Sequence, residues 1–102
     1  MTGYRVIISQ AAQDDLERLY DFLFAIHPET AARALQEIET SYSVLERYPH
    51  TCRKASQTEF SAALRELIVT FDSSGYVALF EITDTRTVTV MAVRHHRESD
   101  FH

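Results

Sequence analysis

A chain of 102 residues with a net charge of −5 is sized for one domain, spanning 1–102, around one core. The single Cys52 rules out an internal disulfide, and no His or Cys stands near it at the spacing of a zinc site. The acidic balance argues against tight, non-specific nucleic-acid binding, which needs clustered Lys and Arg on phosphates. No apolar run approaches the roughly 20 residues of a membrane span, and Met1-Thr2-Gly3-Tyr4-Arg5 has no signal-peptide architecture. A reducing, cytoplasmic setting without membrane attachment is expected.

Charge is unevenly distributed. Between Gln10 and Tyr48 stand eight acids and three bases, whereas from Pro49 to His102 seven acids face six bases. The N-terminal half therefore carries the acidity. Arginine outnumbers lysine nine to one, which favours forked contacts to carboxylate or phosphate over diffuse ammonium charge.

Tyr4 to Ile8 is a short β-branched run that predicts a strand. Ser9 then offers an N-cap, with Asp14 and Asp15 in the early turns. Ala12, Leu16, Leu19, Leu23 and Ile26 step at helical spacing, and Pro28 stops that helix while suiting the first turn of the next. Ala31, Leu35, Ile38, Tyr42 and Leu45 repeat the spacing until Tyr48-Pro49. Tyr20, Tyr42 and Tyr48 belong with these stripes as core-edge aromatics. The acids Asp14, Asp15 and Glu17 do not share one helix face, so a solvated surface is expected there rather than a metal site.

Pro49 to Ala63 has no clear period and reads as a loop. Leu64 to Phe71, Tyr76 to Ile82 and Thr87 to Arg94 are β-rich, separated by turn-rich Asp72-Ser73-Ser74-Gly75 and Thr83-Asp84-Thr85-Arg86. They predict a meander. By strict alternation Val88, Val90 and Ala92 share the core face, with Arg94 in phase, while Met91, Val93 and His95 share the other. That second face is a candidate apolar strip for a partner. The fold class is therefore α+β, in the order β-α-α-β-β-β, with a helix hairpin on one face of a small, mainly antiparallel sheet.

The segment Ala92-Val93-Arg94-His95-His96-Arg97-Glu98 gathers cations and histidines where the last strand runs out of apolar residues. Such a cluster can grip an anion, move protons or dock on an acidic partner. Arg65 with Glu66 is a further candidate, its plain alternative being a surface charge pair.

In element order and in several local motifs the chain resembles the RelE/ParE superfamily of toxins from bacterial type II toxin–antitoxin modules. The matches are Ser9 with Ala12, Asp15 and Leu16; Leu45 and Pro49; Leu64-Arg65-Glu66-Leu67; Ser74-Gly75-Tyr76-Val77-Ala78-Leu79-Phe80; and Ala92 to Glu98. The last two look like the ParE branch, often labelled plasmid stabilisation proteins. The resemblance implies a toxin that poisons DNA gyrase through Arg65, Arg94, His95, His96, Arg97 and Glu98. It also implies a cognate antitoxin, ParD-like or similar, held on Met91, Val93, Leu16 and Tyr20. Operator DNA would be reached only through that antitoxin, in a toxin–antitoxin hetero-oligomer, and no cofactor or metal is implied.

The superfamily's other activity is ribosome-dependent mRNA cleavage, for which Arg65, His95, Arg94 and Arg97 would supply cations and acid–base groups. His96 stands where a tyrosine would be expected, and no lysine cluster accompanies it. A non-toxic, antitoxin-binding relative is the remaining alternative.

Overall fold

The computed structural model describes residues 3–55, 64–71 and 74–95. Its elements are β1 (Arg5–Ile8), α1 (Gln10–Ile26), α2 (Pro28–Arg47), a single 3-10 turn (Pro49–Thr51), β2 (Leu64–Phe71), β3 (Ser74–Asp84) and β4 (Thr87–His95). The strands form one sheet in the order β1-β4-β3-β2. β1 pairs with β4 in parallel, and β2, β3 and β4 form an antiparallel meander. The architecture is the expected α+β fold, two helices against a four-stranded mixed sheet.

Local chemistry explains the helix boundaries. Ser9 has extended backbone angles, and its hydroxyl accepts from the Ala12 amide at 3.1 Å, satisfying one of the helix's orphan donors. His27 is the only residue between the two helices, closing α1 through its amide to the Leu23 carbonyl. Pro28, whose missing N–H costs nothing at a first turn, starts α2. So tight a link forces the helices back on one another as a hairpin.

The hairpin lays its apolar stripes on one sheet face. Ala12, Leu19, Ala34, Ile38 and Leu45 from the helices join Leu67, Val69, Phe71, Tyr76, Ala78, Phe80, Val88, Val90 and Val93 from the sheet in one buried cluster. Arg33 sits over the Phe71 ring, 5.2 Å from its centroid, extending this core with a cation–π contact. The first helical stripe ends sooner than its spacing suggests. Ile26, the last residue of α1, is 67% exposed. Tyr48 is likewise exposed rather than a core-edge aromatic.

The loop after the 3-10 turn is partly ordered by pairing. Residues 53–55 run along the outer edge of β2, with the Ala55 amide donating to the Leu64 carbonyl at 2.8 Å and the Glu66 amide to Arg53 at 2.9 Å. This covers the start of an edge strand that would otherwise expose its backbone. Residues 56–63, from the remainder of the predicted loop, lie outside the described residues.

Alternation breaks once in β4. Leu79 pairs with Ala92 but Phe80 pairs with Val90, leaving Met91 as an extra residue in a β-bulge. The bulge exchanges the faces of everything after it. Val93, expected on the partner-facing side, is fully buried beside Val88 and Val90, and Ala92 and Arg94 turn to the opposite face. The expected partner strip thus loses Val93 to the core and keeps Met91.

Candidate target and partner surfaces

The sheet face not covered by the helices exposes Ile7, Ile68 and Met91, while Leu64 and Val77 of the same face are buried. Around Met91 the surface falls into an open groove of about 460 Å³, lined by Ala11, Asp15, Leu64, Leu79, Glu81, Met91, Ala92 and Arg94. Arg94 pairs across the sheet with Val77, which sets its guanidinium stem over apolar neighbours. No hydrogen bond or ion pair to the Arg94 side chain occurs among the described residues. The groove therefore combines apolar walls, two carboxylates and one cation.

His95 takes the other direction. Cross-strand from Tyr76, it meets that buried ring edge-on at 5.4 Å and 85°. The ring of Tyr76 is in turn held at 6.4 Å from Phe71, so His95 rests on the end of the core. His96, Arg97 and Glu98, the rest of the predicted cluster, lie outside the described residues.

Arg65 does not join this cluster. It pairs with Phe80, on the helix-side face, and its guanidinium donates to the Cys52 carbonyl at 2.7 Å and to the His50 carbonyl at 3.4 Å. The residue is a clip on the chain leaving α2. Burial pushes the nearby Cys52 thiol up, and the Arg65 charge pulls it the other way. The alternative reading, an Arg65–Glu66 charge pair, does not form, because adjacent strand residues face opposite ways; Glu66 instead accepts from Arg53 at 2.8 Å.

The two helix residues expected to meet a partner are only partly available. Leu16 and Tyr20 line the seam between α1 and α2, with Leu35, Ala31 and Tyr76. Tyr20 stacks on Phe24 at 5.8 Å, and it is Phe24, with Phe22 and Ile26, that faces solvent. Sequence reasoning passed over these aromatics. The signal was present: Leu19-Tyr20-Asp21-Phe22-Leu23-Phe24-Ala25-Ile26 has more apolar residues than one helical stripe can bury. On the outer face of α1, Asp14, Glu17 and Asp21 surround Arg18 and form a solvated acidic surface. No group of His, Cys, Asp and Glu suited to a metal ion occurs among the described residues.

The profile of the family described as the ParE toxin of the type II toxin-antitoxin system parDE matches residues 6–100. The chain belongs to the ParE toxin family. Among solved structures, the chromosomal ParDE toxin–antitoxin system of P. aeruginosa superposes with a TM-score of 0.72 at 18% identity, covering 90% of this chain and 95% of that one. The RelBE2 toxin–antitoxin complex of Mycobacterium tuberculosis superposes with a TM-score of 0.57 at 22% identity, covering 92% and 99%. Both likenesses are of fold. No curated protein sequence matches significantly. Among the described residues no helix of this ParE-family chain is long and apolar enough to cross a membrane.

Proposed function

We propose that this ParE-family protein is a toxin that poisons DNA gyrase through the end of β4, where Arg94 and His95 lead into His96, Arg97 and Glu98, and that a cognate antitoxin neutralises it. The observation that carries the choice of target is the separation of Arg65 from Arg94. Cleavage of RNA by attack of a 2′-hydroxyl needs cations and a proton carrier converging on one phosphate. Here Arg65 is held by loop carbonyls on the helix side, Arg94 stands in the groove of the other face, and His95 lies against Tyr76. The three do not converge. The net charge of −5 also disfavours a ribosome-binding nuclease.

The antitoxin reading rests on exposed apolar surface. Phe22, Phe24 and Ile26 on α1, and Met91 on the open sheet face, supply anchors of the kind that a partner segment buries. Tyr20 backs Phe24 by stacking on it, and Leu16 lies with Tyr20 in the seam between the helices. Two solved neighbours in this fold belong to toxin–antitoxin systems, which agrees with a bound antitoxin here. Operator DNA would then be contacted through the antitoxin.

The test is expression of the chain alone in bacteria, followed by assays with purified protein. Growth arrest relieved by the small neighbouring open reading frame is expected, together with inhibition of gyrase supercoiling or accumulation of cleaved DNA. Ribosome-bound mRNA should stay intact. Ribosome-dependent cleavage lost on Arg94→Ala or His95→Ala would replace gyrase by mRNA as the target. Normal growth with soluble, folded protein would leave a non-toxic antitoxin-binding relative.

A further inference from the structure

β1 stops at Ile8, opposite Val90, yet β4 continues for five more residues to His95. Along that stretch no strand among the described residues pairs with the backbone on the β1 side. The start of α1 takes the strand's place. The Ser9 amide donates to the Val90 carbonyl at 3.0 Å, and the Ser9 hydroxyl to the Met91 carbonyl at 3.2 Å. One turn and a half further on, a carboxylate oxygen of Asp15 accepts from the Val93 amide at 2.9 Å. Its other oxygen lies 3.8 Å from the Arg18 guanidinium, which holds the carboxylate from the far side.

Two consequences follow for the end of β4. The bonds fall on either side of the Met91 bulge and so fix which face each later residue shows. They also tie down Val90, Met91 and Val93, the last of which directly precedes Arg94. A backbone amide left half-buried without a partner is unfavourable, so the strand end without Asp15 would trade its position for hydration.

We propose that Asp15 is a positioning residue for Arg94 and His95, acting through the Val93 amide to hold the end of β4 in the register that presents Arg94 to the groove and His95 to Tyr76. The inference rests on the reading of that strand end as the toxin's contact with its target. In this reading Asp15 acts on the target through the strand end that it holds.

The experiment compares the full-length Asp15→Ala, Asp15→Asn and Asp14→Ala variants by amide hydrogen exchange, by the NMR shift of the His95 ring protons and by growth arrest at graded expression. In Asp15→Ala, exchange at Val93 should accelerate at least about tenfold relative to the core strands. The His95 ring should lose the shift imposed by the Tyr76 ring, and roughly tenfold more protein should be needed for arrest. Asparagine keeps an acceptor and should restore all three, while Asp14→Ala, on the exposed face, should change none. Where the alanine variant is too unstable to study, Asp15→Ser withdraws the acceptor by one atom and reads the same signals. Unchanged Val93 exchange and His95 shift in the variant lacking the acceptor would overturn the inference. Altered exchange and shift with undiminished arrest would uphold the clamp and overturn the assignment of Arg94 and His95 as target contacts.

Discussion

The hydroxyl of Ser9 joins two distant parts of the chain, accepting from the Ala12 amide at 3.1 Å and donating to the Met91 carbonyl at 3.2 Å. One side chain both starts α1 and fastens the bulge of β4. Ser9→Ala should lower stability by about 1–2 kcal/mol, the sum of a lost cap and a lost hydrogen bond. Ser9→Asp separates the two roles, because its carboxylate can cap the helix but cannot donate to Met91. Urea unfolding should give the aspartate variant an intermediate stability, with the faster amide exchange confined to β4.

Gly75, cross-strand from Thr70, is a position where backbone comes too close for any side chain. A Cβ there would stand 2.5 Å from the Val69 carbonyl oxygen. Because the obstruction is main chain, in the next-to-last pair of the ladder, relief requires β2 and β3 to move apart there. Gly75→Ala should destabilise by about 2 kcal/mol, in line with other overpacked interiors. Thermal unfolding of the variant checks this.

Among the described residues the buried Tyr42 hydroxyl has no hydrogen-bond partner, and burial together with the charge of Glu39 pushes its pKa from 10.0 to about 12. The folded state therefore holds the phenol proton more tightly than the unfolded state does. Stability from this group is complete below pH 10 and is lost as pH rises through about 12. Tyr42→Phe removes both the orphaned hydroxyl and the titration. The variant should be about 1 kcal/mol more stable at neutral pH, and its alkaline loss of stability should be shallower than that of the parent chain. Urea midpoints across the alkaline range measure both effects.

Elements whose cause is local were legible in the sequence. Ser9, Pro28 and the helical spacing from Ala12 to Leu45 act within a few residues, and the strands and helices fall where these signals put them. The faces of β4 were not legible, because the Met91 bulge is held by Ser9 and Asp15 from the opposite end of the chain. Strict alternation therefore assigned Val93 to a partner and Arg94 to the core side, the reverse of what forms. Ile26 failed for a related reason: its spacing is helical, but whether the last residue of a helix is covered depends on what the rest of the chain packs against it. Within the candidate site, Arg94 and Met91 were found by composition at a strand end. The different errand of Arg65 depends on where the aperiodic segment after Pro49 folds back.

That difference between the two arginines gives the last prediction. Arg65 donates to the carbonyls of Cys52 and His50, closing the chain that leaves α2, whereas Arg94 makes no such bond among the described residues. Arg65→Ala should cost about 1 kcal/mol, reduced from a buried charged hydrogen bond because the site is partly solvated. It should also loosen the pairing of residues 53–55 with β2. Arg94→Ala should leave the melting temperature within a degree or two, since a half-buried arginine on the open face gives up only stem contacts. Growth arrest should follow the opposite order, falling strongly with Arg94→Ala and, at expression levels corrected for folded protein, little with Arg65→Ala. Equal loss of toxicity at equal folded protein would mean that both arginines touch the target and that the loop carbonyls hold Arg65 only in the free toxin.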